Sequence, residues 1–213
     1  MQCVKWGINV LTKELYYFER FNQVPETVMN IFLKGLEFDY NRIYAERDQM
    51  LVLEVNFWQQ NFKLPVINSG SSQTPNNPSI KQQQMSQFKH LLKSTFGFAT
   101  YQFILVTKLS QGAYSFLLID LKSGNIREYQ LVQPKRQTVD PLFQNIRLTL
   151  EKEMERRDDR VWRIGVHMNE ECVLMKQDTG LLMVKLLERM FLGRERELMQ
   201  IKSDFLNDFG YFQ

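Results

Sequence analysis

The chain has 213 residues, 44% hydrophobic, 24% charged and 13% aromatic. That length suits one ordinary domain whose core needs no disulfide or structural metal, and sixteen Phe, eight Tyr and three Trp exclude a wholly disordered polypeptide. Lys plus Arg (27) against Asp plus Glu (24) leaves +3, which permits a nucleic-acid contact without arguing for one.

Two cysteines, Cys3 and Cys172, and two histidines, His90 and His167, make neither a disulfide framework nor a zinc cluster of usual spacing. The glycines form no phosphate-binding loop, so neither metal nor cofactor is expected. No apolar run reaches the length of a membrane span, and Lys5, Lys13 and Glu14 interrupt the N-terminal segment. The expectation is a soluble, intracellular chain with no signal peptide and no membrane partner.

In chain order, residues 1–60 read as helical with interruptions. Val24-Pro25-Glu26-Thr27 is a helix start, because Pro needs no N–H there and the carboxylate faces the positive end of the dipole. The run at 51–58 fits a short strand or an apolar helical turn. Residues 68–86 are rich in Ser, Asn, Gln, Gly and Pro and read as a flexible polar surface loop within one domain spanning 1–213. The period then changes. Runs at 101–107, 114–121 and 126–131 are β-branched or aromatic, with turns at Ser110-Gln111-Gly112-Ala113 and Lys122-Ser123-Gly124-Asn125, and predict an antiparallel meander.

Helical spacing follows over 141–160, its balanced charges reading as a solvated face. Short strand-like pieces come at 161–166 and 172–175, then two helices over 180–192 and 195–205, parted near Gly193. Helices flank a small mixed sheet at both ends of the chain, so the class is α+β.

Four blocks carry a likeness to a known family. Gln23-Val24-Pro25-Glu26-Thr27-Val28-Met29-Asn30-Ile31-Phe32-Leu33, then Ala113-Tyr114-Ser115-Phe116-Leu117-Leu118-Ile119-Asp120-Leu121-Lys122-Ser123-Gly124-Asn125-Ile126, and finally Lys176-Gln177-Asp178-Thr179-Gly180-Leu181-Leu182-Met183-Val184-Lys185 stand in the order found in the SUMO- and sentrin-specific cysteine proteases. The remaining block, an oxyanion Gln shortly before the nucleophile, falls near Val173. The chain resembles that family of ubiquitin-like-protein proteases, which implies a papain-like fold.

Carried over position by position, the resemblance puts the family's His on Ala113, its Asp on Gln130, its oxyanion Gln near Val173 and its Cys on Thr179. Ala accepts no proton, Gln130 has no charge to steady an imidazolium, and Thr179 lacks a base to ionise it. The implied protein is a pseudoprotease: a non-catalytic subunit of a hetero-oligomeric, nuclear assembly, chromatin- or nucleic-acid-associated. A ubiquitin-like protein is a further expected partner, and nucleic acid a secondary one. A persisting groove would be lined by Gln23, Glu26, Ala113, Tyr114, Trp162 and Thr179, with Trp58, Tyr114, Trp162 and Phe212 as candidate exposed anchors, each of which taken singly reads more readily as core.

Two enzymatic alternatives stay open. Asp178-Thr179-Gly180 spells the aspartic-protease tripeptide, although that chemistry needs a second facing copy; the plainer reading makes Asp178 a helix cap. His167 and Cys172 form a conceivable displaced dyad. Lys185, Arg189, Arg194 and Arg196 supply a positive cluster able to touch phosphate.

Overall fold

The structure is a computed structural model that describes residues 2–5, 7–44, 49–55, 57, 101–132, 143–144, 163–173 and 175–209. The polar segment 68–86, nearly all of the helix expected over 141–160, and Trp58, His90, Trp162 and Phe212 lie outside those residues.

The chain opens with a hairpin, β1 (Gln2–Lys5) and β2 (Ile8–Leu11), and continues into α1 (Thr12–Phe21) and α2 (Glu26–Ile43). This corrects the helical reading of residues 1–11. Gly7 at φ +75° turns the chain, and buried Val10 between exposed Asn9 and Leu11 gives a period of two, not 3.6. Helix α1 ends at Asn22, left-handed at φ 55°, whose N–H donates to Phe18 O at 3.1 Å. Pro25 stands at the cap position of α2 as its spacing predicts.

Five strands form one mixed sheet in chain order: β3 (Gln49–Leu53), β4 (Tyr101–Ser110), β5 (Ala113–Asp120), β6 (Asn125–Val132) and β7 (Arg163–Val173). The central pairs are antiparallel, giving the expected meander, and the outer strands β3 and β7 join parallel. Gln111 (φ 50°) and Gly112 (φ +77°) make the two-residue β4–β5 turn with both φ values positive, the hand that matches strand twist. The pieces expected at 161–166 and 172–175 are one strand. Where β6 passes from Gln130 to Val132, β7 passes from Met168 to Val173, and this irregularity, containing Asn169-Glu170-Glu171, disguises its continuity.

Both faces of β4 and β5 are buried, hence their unbroken apolar runs. One face, with Leu105, Phe116, Leu118, Tyr129 and Leu131, joins a single core with α2 and α3 (Thr179–Leu192). The Phe116 and Tyr129 rings, opposite each other on β5 and β6, stack at 4.4 Å. Helix α4 (Leu198–Asp208) closes that side through Phe205, which meets Phe18 and Phe32.

Helix α2 also supplies hydrogen bonds to the outer side of β3. Asn41 donates to Met50 O (2.9 Å) and accepts from Met50 N–H (2.7 Å), while Glu37 accepts from Val52 N–H (3.2 Å) and Asn30 from Val55 N–H (2.8 Å). Spacings of four and seven residues put these three side chains on one helical stripe. Asn41→Ala therefore leaves both polar groups of Met50 without this partner and is expected to cost about 2 kcal/mol in urea unfolding.

Burial raises the Glu37 carboxyl above its ordinary 4.5, opposed by the Val52 N–H and by Lys34. Above that ordinary value the unfolded chain has released a proton that the native state still holds. Glu37 thus favours the fold fully below pH 4.5, and this contribution is lost as pH rises through the elevated native value. Glu37→Gln keeps an acceptor for Val52, so its unfolding free energy is expected to fall less than wild type's between pH 4.5 and 8.

Candidate functional site

Ala113 begins β5, Gln130 lies near the end of β6, Val173 ends β7 and Thr179 begins α3. Ala113 and Gln130 share a face of the sheet, since Ser115 pairs with Gln130 and side chains alternate along each strand. Val173 pairs with Val132 at the same end. The fold therefore collects at one sheet end the four positions to which the resemblance points.

Thr179 is the best defined of them. It is fully buried, at 0% exposure. Its Oγ1 accepts from Tyr114 N–H at 2.8 Å and donates to Lys176 O at 2.5 Å. The hydroxyl's single proton is thus committed to a carbonyl, and among the described residues no titratable side chain bonds the oxygen. Gln130 is engaged with a neighbour on its own strand, its Nε2 donating to Glu128 Oε1 at 3.0 Å.

The space beside Thr179 is occupied by protein. Val24 is 1% exposed and Tyr114 2%. A Cβ at Gly180 would lie 2.7 Å from Val24 Cγ2 and 3.2 Å from Tyr114 Cδ2, so only glycine lets α3 seat this closely. The Tyr114 hydroxyl donates to Val24 O at 2.9 Å. Burial, then the charge of Glu26, push that phenol far above its usual range, so it stays a proton donor.

Tyr114 is therefore no exposed anchor and no wall of an open groove. This corrects the expectation, and the reason is the Val24 carbonyl, which satisfies the phenol inside the core. Of the other expected lining residues, Gln23 is exposed near the β4–β5 turn, Glu26 is half-buried, and Trp162 lies outside the described residues.

Asn22 and Lys202, which match no motif in the sequence, brace the approach to α3. Lys202 Nζ donates to Glu19 O and to Asn22 Oδ1 (2.7 Å), and Asn22 Nδ2 donates to Asp178 Oδ1 (3.2 Å). Asn after an apolar helix end was the one readable hint, as a left-handed cap. Asp178, the last residue of a 3-10 turn (Lys176–Asp178), takes the cap position of α3 as expected, but its side chain makes no capping hydrogen bond. The Asp178-Thr179-Gly180 tripeptide runs straight into a helix, not a tight loop leading from an apolar strand.

Two of the four members of the basic cluster, Arg194 and Arg196, are held in ion pairs. Arg196 forks onto buried Glu188 and reaches Asp204 (2.6 Å), and Arg194 pairs with Asp39 (3.3 Å). His167 pairs in backbone register with Tyr129, and Cys172 lies in the irregular stretch of β7; their side chains are outside the described residues. Among the described residues no group of three His, Cys, Asp or Glu could hold a metal ion, and no helix is long and apolar enough to cross a membrane.

A five-stranded mixed sheet, a helix whose N-terminus abuts the start of β5, and flanking helices define the Ulp1-like cysteine-protease fold. The SUMO protease Ulp1 with its catalytic cysteine oxidised to a sulfenic acid matches at a TM-score of 0.66 and 10% identity, covering 97% of this chain and 88% of that one. The Ulp1 protease domain in complex with Smt3, the yeast SUMO orthologue, matches at 0.61 and 9% identity (91% and 77% covered). The catalytic domain of a Ulp1-like SUMO protease from Chaetomium thermophilum matches at 0.55 and 9% identity (87% and 70%). No protein-family model matches the chain, and no curated protein matches it in sequence.

Two substitutions test the closure around Thr179. Thr179→Val keeps the shape but removes the acceptor for Tyr114 N–H, and is expected to cost about 2 kcal/mol in urea unfolding. Gly180→Ala forces a methyl against Val24 and is expected to cost about 1–3 kcal/mol, part of which Val24→Ala restores in a double-mutant cycle.

Proposed function

We propose that the chain is a non-catalytic interaction subunit, a Ulp1-like frame that engages a protein partner and cleaves nothing. The observation that carries this reading is Thr179. A cysteine protease needs an ionisable thiol in an open cleft, a base beside it, a group to orient that base and donors for the oxyanion. At the position matched to the thiol stands a fully buried hydroxyl, already bonded to Lys176 O and Tyr114 N–H. Ala113 offers no base, Gln130 no charge, and Val173 no side-chain donor. Loss of members of such a constellation costs many orders of magnitude in rate.

In this reading the protein works within a hetero-oligomeric assembly in the nucleus, and any nucleic-acid contact is secondary. A ubiquitin-like protein is a candidate partner, because one structural neighbour was captured with Smt3. Contact through the body of such a modifier is favoured over a tail laid beside Thr179, where Val24 and Tyr114 fill the space.

The test is exposure of the full chain to ubiquitin and SUMO carrying a C-terminal electrophile, with mass spectrometry as readout. No covalent adduct is expected, and no hydrolysis of fluorogenic modifier conjugates above buffer. An adduct abolished by Cys172→Ser would reveal a relocated nucleophile and overturn the proposal. Pepstatin-sensitive cleavage of a protein substrate would overturn it in favour of the aspartic alternative.

A further inference from the structure

Helix α1 has two apolar stripes, and only one of them faces the core. Leu15 and Phe18 point inward, at 5% and 0% exposure. On the opposite side Lys13, Tyr16, Tyr17, Arg20 and Phe21 follow one another at i, i+3, i+4, i+7 and i+8, the spacing of a continuous helical face. Tyr16, Tyr17 and Phe21 are 40%, 55% and 48% exposed, and Leu11, just ahead of the helix, is 40% exposed. The rings touch in series, Tyr16 to Tyr17 at 6.1 Å and Tyr17 to Phe21 at 5.8 Å, and the Arg20 guanidinium lies 4.9 Å from the Tyr16 ring centre.

At roughly 200 Å² per aromatic side chain, the exposed parts of the three rings amount to about 300 Å². That matches the lower end of the largest apolar patch on a typical monomer, which is often functional. Tyr and Arg are enriched at interface hot spots and Phe in interface cores, and the stacked guanidinium is held in place before any partner arrives.

The charge on this face has one sign. Lys13 and Arg20 are the charged members of the stripe, and neither meets a carboxylate among the described residues. Of the acids of α1, Glu14 borders the stripe beside Tyr17 and Phe21 and Glu19 lies off it. Glu14 turns back to the helix start and to α2, accepting from Leu11 N–H at 2.8 Å and from the Thr27 hydroxyl at 3.1 Å. Glu19 lies nearer the inward side, its carbonyl taken by Lys202. An apolar face whose own two charges are cations, its bordering acid Glu14 already turned to the helix start and to Thr27, is complemented by apolar anchors fringed by carboxylates.

We propose that the outer face of α1, formed by Lys13, Tyr16, Tyr17, Arg20 and Phe21, docks an acidic protein segment whose apolar side chains pack on the three rings. The proposal deepens the reading of the chain as an interaction subunit, and rests on it, by naming the surface and the chemistry of its partner. The rings supply affinity, while Arg20 and Lys13 select carboxylates and set the salt dependence of binding.

The experiment uses the native assembly. A photo-crosslinking phenylalanine analogue replaces Tyr17 in the full-length chain, and the attached peptide is identified by mass spectrometry. A protein peptide rich in Asp and Glu with Leu, Ile or Phe among them is the expected product. In parallel, Tyr17→Ala/Phe21→Ala is expected to lower recovery of that partner at least tenfold. Arg20→Glu should do likewise, with partial rescue by Glu→Lys in the crosslinked segment. All three side chains are largely solvent-facing, so thermal midpoints near wild type verify folding.

Crosslinks to nucleic acid, to lipid, to a second copy of the chain or to a basic segment would overturn the proposal. So would full recovery of the partner by the double variant, which would move the interface elsewhere and leave the subunit reading standing. Absence of any stoichiometric protein partner from wild-type purifications would instead sink the subunit reading itself.

Discussion

The hydrogen bond from Tyr114 N–H to the Thr179 hydroxyl, 2.8 Å long and wholly buried, sets the position of α3 against β5. It joins the first turn of one element to the start of another, 65 residues apart. The same hydroxyl closes the preceding 3-10 turn through Lys176 O, and Gly180 allows the contact by presenting no side chain to Val24. Once α3 is seated, its apolar residues from Leu181 to Leu187 and the sheet residues Leu105, Phe116 and Tyr129 enter one core. A polar group inside such a core is tolerable because both of its hydrogen-bonding roles are filled.

That arrangement uses the crowded junction of a protease-like frame for packing. An open reaction centre needs room for substrate and an ionisable group held against its own desolvation cost. Beside Thr179 and Gly180 stand Val24 and the Tyr114 ring, with the phenol satisfied by the Val24 carbonyl. The bracing from Lys202 through Asn22 to Asp178 adds a polar chain linking α4, the end of α1 and the turn before α3. Arg196, shared by Glu188 and Asp204, fastens α4 to α3 a second time. The helices around the junction are cross-tied, so the outer face of α1 is carried on a firm base.

The meander was legible because its strands are long and apolar on both faces and are punctuated by Gln111-Gly112 and Lys122-Ser123-Gly124. The opening hairpin was not, since four-residue strands offer only two turns of their period and Val4, Trp6, Ile8 and Leu11 suit a helix equally well in composition. In β7 the polar stretch Asn169-Glu170-Glu171 masked a strand whose continuity depends on its parallel neighbour. The likeness of spacing points to four positions that the fold brings to one end of the sheet, but not to the burial of Thr179 among them. Exposure of Tyr114 is decided by Val24, 90 residues earlier, and no local pattern encodes that. The bridge from Asn22 to Lys202, 180 residues away, is equally invisible in one dimension. In α1 the spacing reveals two apolar stripes, and only the packed fold tells which one remains outside.

Asn41 presents Met50 with one acceptor and one donor, the pair that an adjacent backbone would offer. Glu37 supplies an acceptor alone to the Val52 amide two residues on. The sheet therefore meets a decoy strand at this border, built from side chains and tethered to α2. An incoming polypeptide that tried to lengthen the sheet here would have to evict groups already seated, so templated stacking of copies into fibrils is discouraged at this margin.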